Sequence, residues 1–223
     1  LLRQLDDCIN IKGRYQPAIQ NALHAAKTVD GPAEVVIPTG QYRLGTVFDL
    51  SANTEEFTHL GLEGASDIRI RANGNVTLIC TDPNAAAVTF LSCDNLSISG
   101  ITVDYDPCPF TQGQILSVSS SPKTVTVSVD AGFSTPDAAF FWSSAIPIQS
   151  RRINVFDASS YIYTGSLMVT SIASQTGSSY TLNVEEIPDS SYVGMPYVLM
   201  ARRSKHAFRL VNCQSSLLED MRV

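Results

Sequence analysis

Residues 88–103 read Val-Thr-Phe-Leu-Ser-Cys-Asp-Asn-Leu-Ser-Ile-Ser-Gly-Ile-Thr-Val, which is two short apolar–polar alternations separated by the polar break Ser92-Cys-Asp-Asn. The same spacing of apolar residues returns 120 residues later, from Phe208 to Val223, with Cys93 aligned on Cys213. It also occurs 28 residues earlier, where Leu60, Leu62, Ile68 and Ile70 align on Val88, Phe90, Leu96 and Ile98. An alternation with period two indicates strands that bury one face.

Three copies of a two-strand unit are typical of a solenoid whose coils stack strand upon strand. A spacing of 28 residues is too long for a hexapeptide repeat, and the asparagine spacing of leucine-rich repeats is missing. The sequence therefore predicts an all-β protein, a right-handed parallel β-helix. Pro17, Ile19, Leu23 and Ala26 predict an amphipathic capping helix that begins at Pro17. The first coil follows in residues 34–44.

A second β-domain is predicted inside the solenoid, because the offset between equivalent coils rises from 28 to 120 residues. Short alternating segments separated by turn residues occur at Gln114–Val118, Thr124–Val129, Ile153–Phe156, Ser166–Ile172, Tyr180–Val184 and Tyr197–Met200. Such segments predict a small antiparallel barrel or sandwich. The expected organisation is a cap with the first coils in residues 1–106, an inserted β-domain in 107–198, and a return to the solenoid in 199–223.

Composition narrows the classes of partner. The chain has 223 residues, of which 44% are apolar and 16% charged, and its net charge is −6. This length can bury a sizeable core, and the negative charge argues against a nucleic-acid partner. No run of eighteen apolar residues predicts a membrane span. We expect no cofactor and no metal, since the cysteines show no zinc-ligand spacing.

The five cysteines leave two interpretations open. An odd number means that at least one thiol is free or pairs with another chain. If the coils of Cys93 and Cys213 are adjacent, their Cα atoms lie about 4.8 Å apart, within the range that a disulfide bridges. The pair then forms either a stacked ladder of free thiols, which we favour, or a disulfide.

The segments AIQNAL (residues 18–23) and VVIPTGQYRL (residues 35–44) resemble the N-terminal cap and first coil of pectin-lyase-like β-helix proteins, which include polygalacturonase-like hydrolases and polysaccharide lyases. Residues 98–115, the β-rich insertion, Tyr197-Val-Leu-Met-Ala-Arg-Arg and Leu218-Glu-Asp-Met-Arg-Val follow in an order that resembles the α-1,3-galactosidases with a small β-barrel inserted after an early coil. The resemblance implies a glycoside hydrolase that acts on an oligo- or polysaccharide.

The catalytic aspartates of those galactosidases belong to coils that follow the insertion, so the resemblance assigns no catalytic residue in this chain. A solenoid that stops at Val223 would leave unpaired backbone groups and an open apolar end. We therefore expect that Val223 is not a natural end, and that a missing C-terminal portion or a second chain completes the β-helix. Because there is no initiator Met, we also expect a removed leader and a secreted, extracellular or periplasmic protein.

Asp104 and Asp106 are the first candidates for substrate binding. Glycoside hydrolysis needs carboxyl groups that face one sugar bond, and residues two apart on a strand point to the same side. Alternatively, Asp106-Pro107 starts a turn and Asp104 caps the end of a strand.

Glu219, Arg202, Arg203 and His206 complete the candidate substrate-binding set. Arginine binds carboxylates or hydroxyls with its planar fork, although salt bridges to Asp104 or Glu219 would also explain the basic residues. His206 is not expected to be a catalytic base, since no Ser or Cys nucleophile motif accompanies it. Phe140, Phe141 and Trp142 either stack on a sugar ring or form the core of the insertion.

Three functions follow from these residues. The favoured one is an exo-acting, α-galactosidase-like glycoside hydrolase. The second is a uronide lyase or epimerase, which often needs Ca²⁺ held by clustered acids, and this chain has few clustered acids. The third is a non-catalytic glycan-binding or structural β-helix subunit.

Overall fold

The computed structural model describes residues 3–4, 15–50, 57–143, 148–200 and 206–223. These residues form mainly β-strands with one α-helix, which agrees with the all-β class predicted from the sequence. The chain divides into two compact units. One is Leu1–Asp106 together with Lys205–Val223, and the other is Pro107–Ser204.

The first unit contains two largely parallel sheets. One has the order β1-β2-β5-β7-β15, with bounds Arg3–Gln4, Ala33–Leu44, Ser66–Cys80, Asp94–Tyr105 and Leu217–Glu219. The other has the order β14-β6-β4-β3, with bounds Phe208–Val211, Ala86–Leu91, Phe57–Glu63 and Phe48–Asp49. Neighbouring strands are parallel in both sheets except for β3 and β4.

The register of these strands follows the offsets read from the sequence. At the offset of 28, the partners are Leu60 with Val88, Leu62 with Phe90, Ile68 with Leu96 and Ile70 with Ile98. At the offset of 120, they are Phe208 with Val88, Leu210 with Phe90 and Leu218 with Ile98. Equivalent apolar side chains therefore lie beside one another on adjacent strands, and they form a single core.

The turns that join the two sheets are also in register. Each contains two residues with φ between +49° and +59°, at Gly64 and Asp67, at Ser92 and Asn95, and at Asn212 and Ser215. The N–H groups of Gly64 and Ser92 donate to Leu91 O and Val211 O of the next turn, at 2.9 and 2.8 Å. The turns thus satisfy one another's backbone groups from one strand to the next.

Cys93 and Cys213 form the ladder of free thiols rather than the disulfide. The Cys93 Sγ donates to Leu62 O and the Cys213 Sγ donates to Phe90 O, each at 3.5 Å. The two contacts are the same interaction displaced by one strand. Burial, and to a lesser degree the neighbouring Cys213 thiol, raise the pKa of Cys93, so its thiol stays protonated. Cys8 lies outside the described residues.

Helix α1 spans Tyr15–Lys27 and packs on the first unit. It begins two residues before the predicted start, and Pro17 is tolerated there because the first-turn N–H groups have no intrahelical partner. Ile19 and Leu23 are buried, as the sequence pattern predicts. The Gln20 amide fixes the helix to β4, since it donates to Gly61 O at 2.6 Å and accepts from Gly61 N at 3.0 Å.

The second unit is a closed antiparallel barrel with its own core. Its strand order is β10-β11-β12-β9-β8-β13, and the bounds are Phe110–Ser120 (β8), Lys123–Ser128 (β9), Arg152–Phe156 (β10), Tyr163–Thr176 (β11), Ser179–Val184 (β12) and Pro196–Met200 (β13). Single 3-10 turns occur at Ala139–Trp142, Ile148–Ser150 and Ser190–Tyr192. Of the two predicted architectures, barrel or sandwich, the structure has the barrel.

Two details of the barrel differ from or refine the sequence prediction. Strand β13 pairs with β8 and β10, so the barrel extends past the predicted boundary at residue 198.

Phe141 is buried in the barrel core, and Phe140 and Trp142 pack partly buried against it. The Arg151 guanidinium lies 5.0 Å from the centre of the Trp142 ring. These aromatic residues therefore belong to the core of the insertion.

His59 should make the first unit sensitive to acid. Its side chain is fully buried, with Nδ1 3.0 Å from Thr46 O and Nε2 3.4 Å from both Asp82 N and Asp82 O. In the neutral ring with a proton on Nδ1, Nδ1 donates to Thr46 O and Nε2 accepts from Asp82 N. Burial lowers the pKa of His59 from its usual value near 6.5. As the pH falls, His59 is therefore protonated in the unfolded chain at a higher pH than in the folded chain.

We expect the free energy of unfolding to be highest above pH 6.5 and to fall as the pH drops through 6.5 toward the folded pKa, by about 1.4 kcal/mol for each unit of pKa depression. The measurement is urea unfolding of the wild type and of His59→Gln between pH 7.5 and 5. The fall should be smaller in the variant. An equal pH dependence in both proteins contradicts the prediction.

Gly113 should be indispensable to the barrel. A Cβ at this position would lie 2.0 Å from Ser128 O, a backbone atom that also accepts from the buried Tyr197 hydroxyl at 3.0 Å. Gly113→Ala should lower the free energy of unfolding by about 3 kcal/mol, the upper range for overpacking. Gly45→Ala is the control, because nothing lies within 4 Å of its added Cβ. Equal stability of the two variants in urea unfolding would refute the steric argument.

Candidate functional site

The ends of β2, β5 and β7 present a polar outer face. Arg43 lies beside Ile79, and Ile79 lies beside Asp104, across the two parallel pairings. The residues that alternate with them, Leu44 and Cys80, are buried. Charged side chains therefore stand on the outside of strands whose inner side chains form the core, as strand alternation requires.

Asp106 is held by an ion pair that passes over a strand. Its Oδ2 lies 2.7 Å from Nη1 of Arg43, and both side chains are more than half exposed. The pair joins residues 63 positions apart in sequence. Asp106 N also donates to Cys80 O at 2.9 Å, which fixes the backbone at the end of β7.

Asp104 differs from Asp106 in its partners. Its Oδ1 accepts from Tyr105 N at 2.7 Å, and no ion pair within the described ranges involves its carboxylate. The Tyr105 side chain points inward and its hydroxyl donates to Ala85 O at 3.1 Å. Asp104 and Asp106 consequently share one side of the chain, with the buried Tyr105 between them.

A cavity of about 410 Å³ lies on the same sheet. Its lining residues are Asn75, Val76, Thr77, Gly100, Thr102, Asp220 and Arg222. Thr102 precedes Asp104 by two residues on β7, so both side chains are on the outer face. Backbone hydrogen bonds hold the side of the cavity formed by Arg222, because Val103 N donates to Arg222 O at 2.9 Å and Arg222 N donates to Ile101 O at 3.2 Å.

Asp220 occupies a position where the neighbouring strand has glycine. Thr102 bridges Arg222 and Ile98 pairs with Leu218, so Gly100 aligns with Asp220. Both residues have positive φ, +74° and +51°. Aspartate is one of the few side chains that adopts this conformation, and here it adds a carboxylate to the cavity.

The remaining sequence candidates lie elsewhere or are not described. Glu219 is exposed and pairs with Ser99, but it does not line the cavity that its neighbour Asp220 lines. His206 is exposed just before β14, and no hydrogen bond or ion pair within the described ranges joins it to Asp104 or Asp106. Arg202, Arg203 and Lys205 lie outside the described residues.

Sequence reasoning missed Arg43, Thr102, Asp220 and Arg222. A weak signal for such a surface is the polar residues in the alternations Gln41-Tyr-Arg-Leu, Thr77-Leu-Ile-Cys and Thr102-Val-Asp-Tyr. These three segments lie side by side in the sheet. A second charged group on this sheet consists of Glu34 with Arg71 and Arg69, at 2.9 and 3.8 Å.

Two further findings bear on cofactors and membranes. Within the described ranges, no three His, Cys, Asp or Glu side chains are grouped so that they could hold a metal ion. No helix in those ranges has the length and apolar character needed to cross a membrane.

No protein-family model matches the chain, and no curated protein is significantly similar to it in sequence.

Chemically, the outer face offers carboxylate acceptors, guanidinium and amide donors, and hydroxyl groups on a rigid sheet. Groups of this kind bind a polyhydroxylated ligand, because each sugar hydroxyl donates to a carboxylate and accepts from a guanidinium or amide. Asp104 has acceptor capacity left, whereas Asp106 is shared with Arg43. The face therefore fits hydrogen-bond recognition of a sugar.

The ion pair of Arg43 with Asp106 should add little to stability. Exposed pairs contribute about 0.2–1 kcal/mol, because solvent screens the charges and two long side chains lose rotamer freedom. A double-mutant cycle of Arg43→Gln and Asp106→Asn, measured by urea unfolding, should give a coupling energy in that range. A coupling several times larger would mean that the pair is a structural clamp rather than part of a binding surface.

Proposed function

We propose that the chain is part of a secreted, carbohydrate-active right-handed parallel β-helix protein, a glycoside hydrolase of the α-galactosidase-like type, and that the outer face at Asp104 binds its oligo- or polysaccharide. The observation that carries the proposal is the juxtaposition of Arg43, Asp104 and Asp106 on the sheet that also holds the cavity with Asp220 and Arg222.

The strand register supports the β-helix. Both sheets of the first unit contain pairs at the offset of 28 residues, although β5 and β7 pair at 25 from Val76 onward, and the chain alternates between the sheets through turns of like geometry. Strands β5 and β7 both have a register irregularity that ends where Val76 pairs with Ile101, so each contributes two straight segments. Three segments for each turn of chain fit a three-sided solenoid.

The exposed apolar residues of β14 and β15 support the expectation of further coils. Leu218 is 43% exposed, whereas Ile98, its partner on β7, is 1% exposed. Leu217 is also exposed, and Phe208 and Leu210 are only partly buried. We therefore propose that additional parallel strands, from further residues of the protein or from a second chain, cover this edge and provide the reaction acids.

One observation favours a second candidate, a uronide lyase or epimerase. Arg222 lines the cavity and forms no ion pair with any carboxylate in the described part of the chain. An arginine in that state binds the carboxylate of a uronide through two parallel hydrogen bonds. The binding preference of the cavity separates the two candidates.

The decisive experiment compares two ligands on the full chain. Galactosyl-α-1,3-galactose should raise the melting temperature more than trigalacturonate does, because binding to the folded state alone stabilises it. Asp104→Asn and Asp220→Asn should each weaken the galactoside affinity about tenfold, the cost of about one charged hydrogen bond. Titration calorimetry measures the affinities.

Glu219→Gln is the matched control, since Glu219 adjoins Asp220 but does not line the cavity. It should bind as the wild type does. A preference for trigalacturonate that depends on Arg222 would favour the lyase or epimerase. No binding of either ligand would refute the outer face as a glycan site.

A further inference from the structure

The hairpin between β10 and β11 exposes three consecutive large side chains. Tyr161, Ile162 and Tyr163 are 72%, 66% and 56% exposed. Single exposed apolar residues are ordinary, but a run of three large ones at a tip is unfavourable unless something binds there. The folded barrel does not need them, because its core is formed by other residues.

The hairpin tip is held in one conformation by Asp157. The Asp157 Oδ1 accepts from the N–H and hydroxyl of both Ser159 and Ser160, at 2.7–3.0 Å. These bonds, with the Ser159 hydroxyl first, keep the pKa of the Asp157 carboxyl well below its usual range, so the anchor is ionised at neutral pH. Asp157 N donates to Ile162 O, and Tyr161 N donates to Asp157 O, both at 2.9 Å.

The loop also holds Tyr161 at φ +54°, a conformation that bulky residues rarely adopt. A residue in a costly conformation persists only where the surroundings determine it, and such residues concentrate at binding sites. A tip that is already ordered loses little entropy when a ligand binds. The loop that carries the exposed rings is therefore ordered before a ligand binds.

A second aromatic residue continues the surface from Tyr163. The Tyr163 ring packs edge-on against Phe156, with centroids 6.2 Å apart, which fixes its orientation. Gly165 follows Tyr163 by two residues on β11. A Cβ at residue 165 would clash with the Tyr192 hydroxyl, so the glycine leaves room for this side chain. Tyr192, which ends the 3-10 turn Ser190–Tyr192, therefore lies over β11 two residues from Tyr163, where it is partly buried against the barrel core.

The chemistry of the tip selects among ligands. Residues 156–163 contain one acid and no base, so anionic lipid headgroups and nucleic acids find no counter-charge. Tyrosine offers an aromatic face and a hydroxyl together, and the apolar C–H face of a pyranose ring with its rim of hydroxyls complements both. We infer that the exposed Tyr161 and Tyr163, with the partly buried Tyr192 beside Tyr163, form a platform on which the barrel binds pyranose rings of a neutral glycan.

This platform lies in the barrel unit and shares no residue with the outer face at Asp104, so the two sites are tested separately. The probe is a panel of neutral oligosaccharides of four to six hexoses, including α-galacto- and β-gluco-oligomers, titrated into the full chain with tyrosine fluorescence and calorimetry as readouts. Tyr161→Ala and Tyr163→Ala should each weaken binding of the best oligomer about 3- to 10-fold. Tyr161→Phe should retain most of the affinity, because it keeps the ring.

Ile187→Ala is the matched control, since Ile187 is 65% exposed in the same unit. It should bind as the wild type does. Unchanged binding of both tyrosine variants overturns the platform alone, and loss of binding in Asp104→Asn with the platform variants intact assigns all binding to the outer face. Failure of the wild type to bind any oligomer overturns both proposals.

Two other occupants of the tip are tested with the same variants in separate measurements. Sedimentation of the wild type as a dimer that Tyr161→Ala dissociates would make the tip a contact between copies and overturn the proposal. Flotation with phosphatidylcholine vesicles that requires Tyr161 and Ile162 would identify a lipid surface and overturn it too.

Discussion

The first unit depends on the in-register parallel pairing that runs through both of its sheets. A slip of one residue on any strand would turn every inner side chain outward, so the apolar pattern enforces the register. The turns make the same demand independently, because Ser92 and Asn212 must both be left-handed for Ser92 N to reach Val211 O at 2.8 Å. Left-handed non-glycine residues cost about 1–2 kcal/mol each, which the bonds between turns offset.

That constraint also explains how the chain carries a whole barrel between β7 and β14. The barrel begins with β8 and ends with β13, and these strands pair, with Phe110 beside Met200. In the first unit, Val88 N donates to Ala207 O at 3.0 Å, so the returning chain joins the sheet directly beside β6. Each unit closes its own hydrogen bonds and core, and an insertion whose ends meet disturbs neither.

The sequence was sufficient where the fold imposes periodicity. The offsets of 28 and 120 gave the partners of Leu60, Ile70 and Phe208, because an in-register sheet repeats its inner residues at fixed spacing. The helix begins at Tyr15, two residues before the predicted start at Pro17, because the residue pattern fixes the ends of an element less well than its interior. The predictions for Arg202 and Arg203 stay predictions.

Only part of the candidate site could be predicted from the sequence. Asp104 and Asp106 stand out because they are acids two apart, but Arg43 becomes their neighbour only through the register of β2 on β5, which the offsets of 28 and 120 do not give. Outer positions are not constrained by the core, so their polar residues follow the strand alternation without marking a site, and Thr102, Asp220 and Arg222 look like ordinary strand and turn residues.

The ion pair of Arg43 with Asp106 shows what such outer positions contribute. The pair spans β5, and two strand spacings are about 10 Å, so both side chains extend toward each other over Ile79. The pair offsets the charge of Asp106, while Asp104 keeps an acceptor oxygen that no described residue fills. A sheet face with one acid paired to an arginine and the next left available is asymmetric, so it favours a ligand that brings its hydrogen-bond donors to the Asp104 side.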